Sequence, residues 1–231
     1  MINRNSLGFL GQFYYSLKNK IKRIYQNSKF YEKKISKTFD NDFQYKPSPH
    51  LLSSIIKYQN KKYRIEDFAV NSFWQNKMNA KDYEKLNNFF WFFSLDLKSS
   101  KEATRLVVKN WLKNNGKFNN KSWQFDITSK RIIAWLSNHQ LTYQDSDKEY
   151  RLMFNHMVQK QTNHLLNEIK TSNEFENKLI GCSAIILTGL AYKNEKNYVE
   201  IGLSILKNII RSSIDNQGFT KSRNIKQLVF Y

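Results

Sequence analysis

The side chains of this 231-residue chain that could do acid–base or metal chemistry are few and scattered. The four histidines are His50, His139, His156 and His164. His156 and His164 stand eight apart, so on one helix they share a face but cannot clasp one ion side by side. No H-x-x-x-H or H-E-x-x-H pattern occurs, and a lone Cys182 makes neither a thiolate zinc site nor a disulfide. No metal and no cofactor is expected. The nucleophile elbow, the phosphate loop and the dinucleotide fingerprint are absent, and no carboxylate pair stands out for glycoside hydrolysis. What remains is cations beside amides. Asn177-Lys178 is one such pair, and Arg223-Asn224 follows the Asp215–Gly218 turn at a helix start, where backbone amides favour an anion. Arg131 follows a segment of capping residues and reads either as an anion contact or as a brace for the loop before it.

The balance of charge fits an anionic partner of some kind. Thirty-eight Lys and Arg against 19 Asp and Glu give a net charge of +19. Such a surface attracts nucleic acid, anionic lipid or acidic polysaccharide alike. Lys, Asn and Ile are abundant throughout, loops included, so a general compositional bias explains the charge equally well. No zinc finger, RNP motif or clear helix-turn-helix is present, and no specific nucleic-acid partner is expected.

The elements that must position these groups read as helices. Two prolines and seven glycines leave few turns for an all-β fold, while 15% aromatic residues supply a core. Phe9, Phe13, Leu17, Ile21 and Ile24 form one helical stripe, with Lys18, Lys20, Lys22 and Arg23 mainly off it. That basic amphipathic helix, residues 9–24, suits packing on the rest of the protein or docking on an anionic membrane surface. Residues 25–60 are polar and basic and read as a linker, with Leu51–Tyr58 a short element. Lys62–Val70 alternates loosely and reads as a brief strand or an extended arm. We therefore divide the chain into an N-terminal helix and linker, 1–60, and a helical domain, 61–231.

From about residue 80 the helical period is sustained. Tyr83, Leu86, Phe90 and Phe93, widened by Phe89, Trp91 and Leu97, predict one helix, and Ala103, Val107, Asn110 and Trp111 the next, stopping at Gly116. Asp126, Thr128 and Ser129 open a third that carries Ile132, Ile133, Trp135 and Leu136. Tyr150 to Ile169 is a long fourth. Asn177–Tyr192 is apolar on every side and predicts a central, buried helix. Tyr198–Ile210 is a sixth, and a further helix begins near Ile225. Ending on Leu228-Val229-Phe230-Tyr231, the chain reads as the N-terminal part of a longer protein. Helices of this length with short loops stack as antiparallel pairs.

The run Ser122-Trp123-Gln124-Phe125-Asp126-Ile127-Thr128-Ser129-Lys130-Arg131-Ile132-Ile133-Ala134-Trp135-Leu136 resembles the W-x-x-x-x-(T/S)-x-x-R-(I/L)-x-x-W-L signature of the heparinase II/III-like family. Tyr150-Arg151, Gln161 with His164-Leu165, the apolar Leu179–Leu190 segment and Asp215-x-x-Gly218 before Ser222-Arg223-Asn224 follow in the same order, over roughly residues 80–231. The resemblance implies an all-α, incomplete (α/α) toroid, with an antiparallel β domain following it that this chain lacks.

It also implies polysaccharide lyase chemistry, β-elimination on a uronic-acid glycan. The carboxylate at C5 is neutralised, the C5 proton removed and the leaving oxygen protonated, with cations or amides offsetting the charge and a Tyr or His moving the proton. By resemblance Asn177 and Lys178 hold the catalytic place, with Lys where the family has His. Arg223, Asn224, Arg131, Trp135 and His164 are the candidate substrate contacts. The family's Tyr is absent after the Asp215–Gly218 turn. Each position has a plainer reading: Asn177 as a helix cap, Lys178 as a solvated cation, Trp135 as core and His164 as a packing residue. The alternatives are a non-catalytic relative that binds an envelope glycan, and a basic helical nucleic-acid binder. No cleavable leader is visible, which reads as cytoplasmic, whereas the resemblance implies the periplasm or cell envelope.

Overall fold

A computed structural model describes residues 4–38, 79–95, 100–172, 174–192, 197–219 and 221, with side chains from 11 onward. Its helices are α1 (Arg4–Gln26), α2 (Lys29–Ile35), α3 (Ala80–Asn87), α4 (Lys101–Asn115), α5 (Phe125–Ser137), α6 (His139–Thr142), α7 (Lys148–Glu168), α8 (Phe175–Ala191) and α9 (Tyr198–Ser213). The protein is all-α, with no strand among the described residues. The Leu51–Tyr58 and Lys62–Val70 segments, the boundary at 60/61, the helix from Ile225, and Arg223 and Asn224 all lie outside the described residues.

Polar side chains set the helix starts. Ser28, Asn79, Ser100, Asp147 and Asn197 each accept a bond from the backbone amide three residues on, which satisfies one otherwise orphaned donor. The start of α5 differs from the sequence expectation. Its cap position is Gln124, without a side-chain bond, while Thr128 and Ser129 lie inside the helix and bond to Arg131 and to the Phe125 carbonyl. The expected Asp215–Gly218 turn is present, with Asp215 Oδ1 accepting from the amides of Gln217 and Phe219 and Gly218 at a φ of +83°.

α5 is the central helix. Ile132, Ala134, Trp135 and Leu136 are fully buried, and the helix contacts α3, α7, α8 and the 3₁₀ turn Phe90–Ser94. Around Trp135 lie Phe89, Trp111 and Phe154, with ring centroids 5.2, 5.4 and 5.6 Å away. α8 packs closely on both α5 and α9 because glycines lie at the contacts. A Cβ on Gly181 would stand 2.3 Å from Phe125 Cζ, and one on Gly202 2.5 Å from Ile186 Cγ1.

Three further expectations change. The stripe from Tyr83 to Phe93 is not one helix: α3 stops at Asn87, and Phe89 takes a left-handed φ of 58° before the 3₁₀ turn. That backbone is unfavourable for a bulky residue, and the fully buried Phe89 ring wedged among four aromatic neighbours holds it there. The linker reading fails at its start, because residues 29–35 form α2 and place Tyr31 and Ile35 in the same core as α5 and α7. α8 begins at Phe175, and it is not buried on every side: Cys182, Ala184 and Ile185 are enclosed, while Ser183 and Leu190 face solvent.

Candidate functional site

Arg131 and His164, thirty-three positions apart, are both completely enclosed and converge on one loop, residues 116–124. Arg131 donates through Nη1 to the carbonyls of Asn87 (2.8 Å) and Ser122 (2.9 Å), through Nε to Gln161 Oε1 (2.9 Å) and through Nη2 to Thr128 Oγ1 (3.2 Å). Its guanidinium lies 4.1 Å over the Trp111 ring, and that indole N–H donates to Asn87 Oδ1. No carboxylate pairs with it among the described residues; carbonyl dipoles and the aromatic face carry the compensation instead. Burial draws its pKa down to about 9, which leaves it charged at neutral pH.

His164 is fixed as a neutral imidazole. The Trp123 carbonyl can only accept, so the 2.9 Å contact from Nε2 requires a proton there. Nδ1 is then the acceptor for the Tyr31 hydroxyl, 2.6 Å away. Desolvation lowers the His164 pKa to about 3, and it raises the Tyr31 hydroxyl well above its ordinary value. Both groups therefore stay uncharged near neutrality, each occupied by the other.

Two more contacts hold the same loop. Lys160 is buried on α7, pairs with Glu32 of α2, and donates to the Gly116 carbonyl at 2.8 Å. The Trp123 indole donates to the Asn115 carbonyl at 2.9 Å. Four carbonyls between 115 and 123 are thus held by ring, guanidinium or ammonium N–H groups, which fixes Phe118 and Trp123 in place.

Beside this loop is a cleft of about 310 Å³. α1 contributes Asn19, Lys22, Arg23 and Gln26 to it. The loop and the start of α5 contribute Phe118, Asn120, Trp123, Gln124 and Phe125, and α7 contributes His164 and Glu168. Glu168 pairs with Lys22 and accepts from Gln26 Nε2 at 2.8 Å, tying α1 to α7. Arg23 remains exposed at the rim. The lining therefore joins aromatic surface, amides and two cations, of which Glu168 neutralises one. Such a lining suits an anion with an apolar or sugar face. It holds no acid–base pair poised for proton transfer.

The remaining sequence-derived candidates fall in different places. Trp135 is sealed in the core and presents no face to a ligand. Arg131 is likewise enclosed and positions the cleft wall from behind, while His164, almost wholly enclosed, is part of that wall. Asn177 and Lys178 lie in the first turns of α8, where Asn177 Nδ2 donates to Glu174 Oε2 at 2.6 Å. They precede Gly181 by four and three residues, on the side of α8 that meets Phe125 of the cleft. Arg223 and Asn224 are outside the described residues. Among the described residues no cluster of His, Cys, Asp or Glu is arranged to hold a metal.

Sequence reasoning missed Lys160, Glu32, Tyr31, Lys22 and Glu168. Lys160 and Glu32 are 128 positions apart and Tyr31 and His164 133, so no spacing rule links them. Compared with protein-family models, characterised proteins and solved structures, the chain finds no match.

Proposed function

We propose that this chain is the helical part of a heparinase II/III-like protein and that its cleft binds an acidic glycan. The observation that carries the reading is the loop 116–124. Buried Arg131, His164 and Lys160 hold it so that the enclosed Trp123 backs the wall and the half-buried Phe118 and Phe125 stand beside Lys22 and Arg23. An aromatic platform next to cations is the arrangement a uronate polymer requires, a stacking face for the ring and a positive charge for the carboxylate. The ordered motif set from Trp123 to Gly218 supports the same family and, with it, a toroid of paired helices. Lyase chemistry in this setting would proceed by β-elimination, with Asn177 and Lys178 at the edge of α8 offsetting the C5 carboxylate.

A second reading, glycan binding without turnover, is favoured by two observations. The buried His–Tyr pair is uncharged and mutually satisfied, and Lys178 stands where the family's His belongs. The deciding experiment incubates the protein with a panel of uronate polymers, following both affinity and the ultraviolet absorbance of an unsaturated uronate. Product formation establishes the lyase. Saturable affinity with no product establishes the binding protein, and no affinity for any polymer at moderate salt removes both.

A further inference from the structure

α1 is docked the wrong way round for an ordinary surface helix. Its inward side is polar: Gln26 is buried against Glu168, Lys22 bonds to Glu168 and Thr171, and Asn19 is partly covered. Its apolar stripe points outward, with Phe13 62%, Leu17 46%, Ile21 59% and Ile24 65% exposed. Those four residues recur at intervals of four, four and three, so they form one continuous strip. Tyr14 and Tyr25 lie along one edge and are also exposed. An apolar strip of this length held away from the core marks a surface that something else covers.

The charge around the strip identifies what covers it. α1 contains no Asp or Glu, and Lys18, Lys20 and Arg23 are exposed along its length. We infer that α1 lies flat on an anionic lipid surface, its Phe13–Ile24 strip at the acyl boundary and its lysines among the headgroup phosphates. Tyr14 and Tyr25 suit that depth, with an apolar ring and a hydroxyl at the polar edge. A second copy of the chain is disfavoured as the occupant, because pairing the strips would bring like-charged flanks of two +19 molecules together. No described helix is long and apolar enough to cross a bilayer, so the contact is interfacial. This inference is independent of the glycan reading.

The test is cosedimentation of the full chain with vesicles of equal parts phosphatidylglycerol and phosphatidylcholine, and with phosphatidylcholine alone. Binding to the anionic vesicles only is expected, weakening as salt rises. Leu17→Ser with Ile21→Ser should lower the partition at least about tenfold, and Lys18→Gln or Lys20→Gln about fivefold each. These side chains are exposed, so melting temperature and circular dichroism should not change. A second readout places an environment-sensitive dye on Ile24→Cys, the native Cys182 being buried. Its emission should shift to the blue with anionic vesicles alone. The inference is overturned by equal binding to both vesicle types, by undiminished binding of the Ser variant, or by a dimer that the Ser variant abolishes.

Discussion

Arg131 and His164 hold neighbouring carbonyls of a single loop: Arg131 Nη1 is 2.9 Å from the Ser122 oxygen and His164 Nε2 is 2.9 Å from the Trp123 oxygen. One clamp is permanently charged and the other permanently neutral near pH 7. The loop between them is therefore exposed to acid on one side only.

The sign of that sensitivity follows from the His164 pKa. In the unfolded chain the imidazole takes a proton near pH 6.5, and in the folded protein not until about 3. Between those values the unfolded state binds more protons, so stability falls as pH drops below about 6.5, by up to about 1.4 kcal/mol per unit. Urea unfolding at pH 7 and pH 5 should show this loss. His164→Gln, which keeps a donor and an acceptor without titrating, should flatten it. Burial also lowers the pKa of His156, so His156→Gln should remove a smaller part. An unchanged slope in His164→Gln would show that another group senses the acid.

Arg131→Met should destabilise the protein by about 3 kcal/mol, because it leaves the Asn87 and Ser122 carbonyls and Gln161 Oε1 without donors inside the core. Arg131→Lys should recover only part of this, since one ammonium cannot reproduce the planar fork. Chemical denaturation of both variants measures the difference. Equal stability of Met and wild type would mean that the network is dispensable.

Gly181→Ala forces a methyl into the Phe125 ring, at 2.3 Å from Cζ in the present geometry. Overpacking of this kind costs about 1–3 kcal/mol, offset by the roughly 1 kcal/mol that alanine gains over glycine in a helix. The sharper expectation concerns the cleft. Phe125 lines it, so polymer affinity should drop by more than the small change in stability would suggest. Isothermal titration alongside a melting curve separates the two.

Lys22→Gln and Arg23→Gln should act differently on glycan affinity. Arg23 is exposed at the rim, so its loss should weaken binding and reduce the salt dependence. Lys22 is paired with Glu168, and its removal frees a carboxylate in the cleft and should weaken an anionic ligand more. Titrations at two salt concentrations check the order, and the reverse order would place the anion outside this cleft.

Much of the helical body was legible because its stripes are unbroken. The apolar positions of α4, α7 and α9 recur every three or four residues, and polar caps mark their starts. α2 was illegible because only Tyr31 and Ile35 face the core in a segment otherwise rich in charge. The break at Phe89 was hidden because aromatic residues on either side satisfy a helical stripe equally well. Arg131 offered a signal that separates its two readings: it stands four residues before Trp135, on the face that α5 buries, which favours the brace for the loop. A cation in a buried stripe is held by the fold. One beside a turn is free to meet a ligand.

The long separation of Glu32 from Lys160 and of Tyr31 from His164 has a consequence for biosynthesis. At ribosomal rates of roughly 5–20 residues per second, α2 emerges about ten seconds before the helix that receives it. Through that interval Tyr31 has Tyr25 beside it but lacks His164, the Ile35 carbonyl lacks Asn163, and the 116–124 segment lacks the His164 and Lys160 contacts that hold it. Closure of the nascent chain thus waits on translation of α7, and slowing synthesis between them should lengthen exposure to chaperones.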